Sequence, residues 1–194
     1  MMKFNKAYWN KRYETQDIGW DVGTITTPLK AYIDQIENKT LKILIPGAGN
    51  AYELEYLHQQ GFSNVYVVDI AENAIESSKQ RIKNVPANHF LLNDFFDLKN
   101  SFDLIIEQTF FCALDPVLRE NYVQKTHELL TEKGKAIGLL FDFPLTEIGP
   151  PFGGDKEDYL KLFSPLFKIK TLETAYNSIK PRKDKELFFI FEKK

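Results

Sequence analysis

A single cysteine, Cys112, excludes an internal disulfide. His58, His89 and His127 stand at no metal-ligand spacing with one another or with that cysteine, so no metal site is expected. No apolar run approaches the roughly 20 residues that span a bilayer. The opening Met1-Met2-Lys3-Phe4-Asn5 also lacks the apolar core of a secretory signal. Together these absences predict a cytoplasmic protein with no membrane partner. Excess positive charge is missing too: 25 Lys and Arg face 27 Asp and Glu, for a net charge of −2 and a pI near 6.0. Bulk electrostatics therefore give no support to a nucleic-acid partner. The chain has no internal repeat, low-complexity tract or interdomain linker, and its 194 residues suit one well-buried domain over 1–194. Oligomeric state is not legible, and a monomer is the starting expectation.

What the chain does have is a strand, turn and helix in close succession. Leu41, Ile43, Leu44 and Ile45 form an apolar run, as a strand buried on both faces requires. Pro46-Gly47-Ala48-Gly49-Asn50 follows, with no Cβ at either glycine to hold a ligand away. Ala51 to Gln60 reads as a helix whose first free N–H groups face the turn. The next apolar run, Val65 to Val68, ends at Asp69, 20 residues beyond Gly49, where an acid binds ribose hydroxyls. Pyrophosphate-binding loops carry a third glycine where this chain has Tyr52, whose bulk obstructs close helix and strand packing. S-adenosylmethionine has no pyrophosphate, so the loop favours it over NAD. His89 to Asn93 reads as a third strand ending in Asp94, an acceptor for an adenine amine, with Phe95 packed on the ring.

The remaining chain keeps the alternation. Phe4, Tyr8, Trp9 and Tyr13 form an aromatic stripe, and Gln16 to Gly23 is a glycine-punctuated loop around Trp20, so residues 1–26 read as a covering lid. Thr26-Thr27-Pro28 opens a helix expected to reach Asn38. Ala71 to Lys83 is helical, and Phe102 to Glu107 is a fourth strand. It leads into Gln108 to Leu114, at the strand end where open α/β sheets bind ligands. Asp115-Pro116 starts a helix to about Leu130, and Lys135 to Phe143 is a fifth strand. Glu147 to Gly154 is a turn-rich loop, Asp155 caps a helix to Phe163, and Leu166 to Ala175 and Leu187 to Phe191 form an antiparallel pair joined by polar residues. Aromatic residues make up 14% of the chain, enough to line a pocket as well as a core. Phe110 and Phe111 fit either place, and Cys112 reads as a buried core thiol.

These residues carry a resemblance. The chain is similar to class I S-adenosylmethionine-dependent methyltransferases of the thiopurine methyltransferase family. The likeness rests on Tyr8-Trp9 with Gly19-Trp20-Asp21, Pro46 to Gly49, Asp69, Asn93 to Phe96, Thr109 to Pro116 and Gly149-Pro150-Pro151-Phe152, in that order over nearly the whole chain. It implies an α/β, Rossmann-like, seven-stranded and mostly parallel sheet with helices on both faces and a C-terminal antiparallel strand. Expected cofactor contacts are Trp9, Tyr13, Trp20, Gly47, Ala48, Gly49, Asp69, Ile70, Asp94, Phe95, Glu107 and Gln108. The expected pocket for a small-molecule methyl acceptor is Trp20, Phe110, Phe111, Pro151 and Phe152. Some members have a second tryptophan in place of Tyr13, and thiopurine-active members have an arginine in place of Gln108. The wording around Thr109 to Pro116 looks closer to the halide, thiocyanate and thiol methyltransferase branch. Methyl transfer to such acceptors is an in-line displacement that needs alignment and desolvation rather than a dedicated base. The competing readings are a non-catalytic S-adenosylmethionine-binding module and an NAD-dependent oxidoreductase.

Overall fold

Strand β1, Ile43–Pro46, is buried along its whole length and sits at the centre of the molecule. Because side chains alternate across a strand, Leu44 enters one hydrophobic layer while Ile43 and Ile45 enter the other. The computed structural model describes residues 4–194; Met1 to Lys3, the start of the expected 1–26 lid, lie outside them. Around β1 are β2 (Val65–Asp69), β3 (Phe90–Leu92), β4 (Phe102–Gln108), β5 (Leu130–Phe141), β6 (Phe167–Thr174) and β7 (Glu186–Lys193). They form one sheet in the order β3-β2-β1-β4-β5-β7-β6. Strand β7 runs antiparallel between β5 and β6, and β1 to β5 pair in parallel. The seven-stranded, mostly parallel architecture expected from the sequence is therefore present.

Helices α2 (Thr27–Ile33), α3 (Tyr52–Gln59) and α4 (Glu72–Arg81) bury Leu29, Ile33, Leu54, Leu57 and Ile75 against one face of the sheet. On the other face α5 (Arg119–Leu129) and α6 (Lys156–Phe163) bring Tyr122, Val123, Tyr159 and Phe163 onto Phe167, Phe189 and Phe191. The rings of Phe163 and Phe191 are 4.8 Å apart, and those of Phe189 and Phe191 4.5 Å. Much of the aromatic content thus fills this layer, where each ring removes a large apolar area from water. Helix α1 (Lys6–Glu14) buries no residue and packs beside α4.

Three boundaries differ most from expectation. Helix α2 stops at Ile33 because the Gln35 and Ile36 amides turn back to Tyr32 and Ile33, tightening the chain before it reaches Asn38. Asp115-Pro116 opens a single 3-10 turn, Pro116–Leu118, before α5 begins. Strand β5 starts at Leu130, not Lys135, with left-handed Lys133 and a register break opposite Phe102 and Leu104.

Candidate functional site

Strand order reverses at β1, which has β2 on one side and β4 on the other, so the connections leave a crevice at the carboxyl ends of the strands. A cavity of about 900 Å³ occupies that crevice. It runs along the sheet edge from Asp94 after β3, through Asp69 and Gly47, past Thr109 and Phe110, to Phe141, Phe143 and Arg182. From β2 to β7 is four strand spacings, roughly 19 Å. The N-terminal segment closes it with Asn5, Trp9, Arg12, Tyr13 and Trp20.

Gly47 and Gly49 have φ of +57° and +52°, in the region that favours glycine. A Cβ on Gly47 would meet the Phe110 ring at 2.3 Å, and one on Gly49 would meet the Tyr13 hydroxyl at 2.6 Å. The loop is pinned to β2: the Gly49 N–H donates to Asp69 Oδ2 at 3.1 Å and the Ala48 N–H to the Val68 carbonyl at 3.3 Å. Asp69 Oδ1 also accepts from the Ala71 N–H at 2.8 Å. Burial pushes the Asp69 carboxyl up, while those N–H groups oppose the shift. Its lone pairs are not all spent, since a carboxylate accepts about four hydrogen bonds.

At the end of β4, Glu107 is fully buried. Its Oε1 accepts from the Phe110 and Phe111 N–H groups at 2.7 and 2.9 Å, and its Oε2 from the Tyr122 hydroxyl at 2.9 Å. Burial raises its carboxyl to about 7, with the same three donors pulling the other way. These bonds bend the chain through Thr109, a β-branched residue at φ +60°, where such backbone is a genuine outlier. The bend delivers Phe110 beneath Gly47.

The N-terminal segment is tied down at several points. Trp20 stands edge-on to Trp9 and Tyr13, at 5.5 and 5.9 Å, and the Arg12 guanidinium lies 4.8 Å over it. Asn73 takes Asn10 Oδ1 through its N–H at 3.2 Å, and Asp21 accepts from the Asn50 amide and the Tyr52 hydroxyl. Burial, with Asp69 nearby, pushes the Tyr13 phenol up, so it stays protonated.

Of the residues singled out from sequence, the cavity gathers Trp9, Tyr13, Trp20, Gly47, Asp69, Ile70, Asp94, Phe95, Phe110 and Pro151. Six others lie behind its wall. Ala48 and Gly49 hold the loop. Glu107 spends its carboxylate on the bend. The Gln108 Oε1 accepts from the Thr26 hydroxyl at 2.9 Å, and its Nε2 is buried with no hydrogen-bond partner among the described residues. Thr26 accordingly does not cap α2 with its side chain. Phe111 packs into the core against Tyr122 and Phe163, because the bend turns adjacent residues in opposite directions. Phe152 is buried beside Phe4, 5.7 Å between rings, and its N–H donates to the Cys112 carbonyl at 2.7 Å. Cys112 is buried and reaches the cavity, and burial pushes its thiol up, beyond ionisation at neutral pH.

Sequence reading missed Phe141, Phe143, Pro181, Arg182 and Lys185, which close the β5 and β7 side. A signal for them existed: an antiparallel β7 must begin at the carboxyl edge of its parallel neighbours, so the residues just before Glu186 arrive at the crevice.

These features fit S-adenosylmethionine. A cradle without Cβ atoms, acids at the ends of β2 and β3, and a wall of aromatic rings suit ribose hydroxyls, an adenine and a sulfonium. Comparison with known proteins agrees. Residues 4–194 match the family model described as thiopurine S-methyltransferase. A probable thiol methyltransferase 2 of Arabidopsis thaliana is 32% identical, covering 96% of this chain and 84% of that one. A thiopurine S-methyltransferase of Acinetobacter baylyi is 24% identical, covering 86% and 87%. Among solved structures, magnesium protoporphyrin IX methyltransferase from Synechocystis, with S-adenosylmethionine bound, superposes at a TM-score of 0.75 over 97% of this chain and 95% of that one, at 15% identity. The chain belongs to the thiopurine S-methyltransferase family and is an S-adenosylmethionine-dependent methyltransferase.

Proposed function

We propose that the methyl acceptor is a small, soft nucleophile, a thiol, hydrosulfide, thiocyanate or halide, and that it enters at the β4 to β7 side of the cavity. The observation that carries this is the lining there: Cys112, Ala113, Leu114, Phe141, Phe143, Pro150 and Pro151 are apolar side chains, and the charged groups beside them on the loop before β7, Arg182 and Lys185, are cations. None of these side chains is a general base, since the Cys112 thiol is held protonated by burial. The carboxylates of the cavity lie elsewhere or are engaged: Asp69 and Asp94 close the opposite end, and Asp115 accepts from the Val117 N–H at 3.1 Å. Glu107 is sealed behind Phe110. An alcohol would need such a base, while a weakly hydrated anion needs only to lose water and be aligned.

The bound cofactor supplies an electrophilic methyl group on a positively charged sulfur. The protein's part is to place and dry the acceptor. By this reading Asp69 and Asp94 hold the ribose and adenine ends; Gly47, Ile70 and Phe95 give close approach; and Trp9, Tyr13 and Trp20 cover the site. Phe110 separates the two halves, fixed by the Glu107 bend. The whole chain, 1–194, acts as one domain with 1–26 as the lid. The apolar acceptor end also favours a free small molecule over a macromolecule; a cytoplasmic, monomeric enzyme is the working picture taken from composition. The Arabidopsis relatives named for thiol and thiocyanate support the acceptor class.

The test is an acceptor panel with labelled cofactor. Sulfur and halide acceptors should exceed alcohols and carboxylates of equal size in kcat/KM by more than about tenfold, a 1.4 kcal/mol difference in transition-state stabilisation. An oxygen acceptor that outran all of them would overturn this reading.

A further inference from the structure

We propose that Ser78, on the inner face of α4, is a positioning residue for the cofactor: its hydroxyl holds the Gly47–Gly49 turn in shape from behind. The inference rests on the placement of S-adenosylmethionine at that turn proposed above, and it is independent of the acceptor. Ser78 is buried, 1% exposed, and its hydroxyl donates to the Gly49 carbonyl at 2.7 Å. A second acceptor, the Ala74 carbonyl, lies at 2.8 Å, but it is four residues back on the same helix and already serves the backbone ladder of α4. The one hydroxyl proton therefore contributes more at Gly49, whose carbonyl belongs to no helix or strand. Gly49 is thus held on both sides, its N–H by Asp69 Oδ2 at 3.1 Å and its C=O by Ser78.

The turn needs such a tie because it does little to fix itself. Glycine takes positive and negative φ about equally, so Gly47 and Gly49, at +57° and +52°, would sample other shapes if left alone. Ala51, at φ +54°, carries a Cβ into the left-handed region, and α3 starts there with no side-chain cap. The hold comes from α4. Three residues beyond Ser78 and on the same side of the helix, Arg81 donates to the next carbonyl, that of Asn50, while pairing with Glu55 and lying 4.7 Å over the Tyr52 ring. At the start of α4 the Ala71 N–H donates to Asp69 Oδ1 at 2.8 Å. One helix therefore ties both the glycine turn and the strand-end acid. Arg81 is partly exposed, whereas Ser78 is the buried tie, where water cannot take over. Loss of its hydroxyl leaves the Gly49 carbonyl without that donor, and the 49–50 peptide is then free to turn. Affinity falls with the fraction of molecules that keep the binding shape, although Ser78 itself does not line the cavity.

Calorimetry with S-adenosylhomocysteine tests this. In Ser78→Ala its Kd should rise at least about threefold, as the loss of one ordinary hydrogen bond gives, and a smaller rise would overturn the inference. Val123→Ala, a truncation in the α5 layer on the opposite face of the sheet, is the control for lost stability alone and should leave Kd within about twofold. An equal rise in both variants would reduce Ser78 to a packing residue and overturn the inference too. Kinetics give a second readout. With the best acceptor of the panel above, KM for S-adenosylmethionine should also rise at least about threefold while kcat stays within about twofold, since the turn acts on binding and not on the displacement. A fall in kcat with unchanged KM would contradict the positioning role. Should Ser78→Ala not fold, Ser78→Cys, whose thiol donates only weakly, takes its place with the same threshold. Asp69→Ala separates this inference from the reading beneath it. Weaker binding in Asp69→Ala with unchanged binding in Ser78→Ala would remove Ser78 alone, and unchanged binding in both would remove the placement of the cofactor at the turn.

Discussion

Glu53 is the counterpart of Glu107 away from the chemistry, a buried carboxyl on the inner face of α3. Burial raises it to about 7, Asp21 adds to the rise, and Arg182 and Arg81 oppose it. Because its folded value lies above the usual carboxylate value near 4.5, the native state holds its proton more tightly than the unfolded chain. Its contribution is fully present below about pH 4.5 and is lost as pH rises through about 7. Glu53→Gln removes the titration. Relative to wild type, the variant should gain on the order of 2–3 kcal/mol between pH 5 and pH 8, measured by urea unfolding at both values. An identical difference at the two pH values would show that Glu53 does not titrate in this window. At this scale the sequence was uneven. The place of Asp69 at the cavity was legible because strand, turn and acid have a fixed spacing. Phe110 and Phe111 were not separable, because only the Glu107 bond pattern decides which of two neighbouring rings turns toward the cavity. Glu107 itself looked like a ligand-binding acid at a strand end, and nothing local signalled that Tyr122, 15 residues on, would occupy it.

The N-terminal cover shows how an element can be ordered without a core of its own. Helix α1 buries no residue and holds its place through edge-on rings and hydrogen bonds to Asn73, together with the ion pair Lys6–Glu72 at 3.6 Å. Exposed ion pairs of that kind contribute little, about 0–1 kcal/mol. What lies under α1 is the cavity, which Trp9, Tyr13 and Trp20 line, and on the proposed function a bound ligand supplies much of the apolar surface they pack on. Such a segment opens at low free-energy cost until the ligand arrives. Limited proteolysis should therefore cut within 16–23 in the free protein, and S-adenosylhomocysteine should slow that cut by about tenfold or more, as a gain of 1.4 kcal/mol against opening gives. Equal rates with and without it would remove the lid. The aromatic stripe was visible in the sequence as more than so short a segment needs. Its anchor was not, since the bond from Arg182 to the Trp20 carbonyl spans 162 residues.

Across the whole molecule, the alternation of apolar runs and helical patterns was enough to give the sheet, because fully apolar runs such as Ile43 to Ile45 fit only strands covered on both faces. The place of β7 between β5 and β6 was beyond local pattern, since it depends on how two distant strands pair. That pairing carries Pro181, Arg182 and Lys185 to the crevice, which is why a run that reads as a solvated loop closes the β7 side of the cavity. A site assembled from β1, β2, β3, β4, β5, the loop before β7 and the N-terminal segment should make ligand binding a property of the entire fold. At a cofactor concentration about 100 times its Kd, binding to the native state alone adds ~2.7 kcal/mol. For a chain of this length that corresponds to a rise in Tm of roughly 5–10 °C. S-adenosylmethionine and S-adenosylhomocysteine should both produce it and NAD should not. In Asp69→Ala, which removes the carboxylate that pins Gly49 and that we propose holds the ribose, the loss of about 1–3 kcal/mol of binding should cut the rise at the same concentration to between about two thirds and about a tenth. A rise with NAD, or an undiminished rise in a folded Asp69→Ala, would mean that the strand-end acid does not hold the cofactor as proposed.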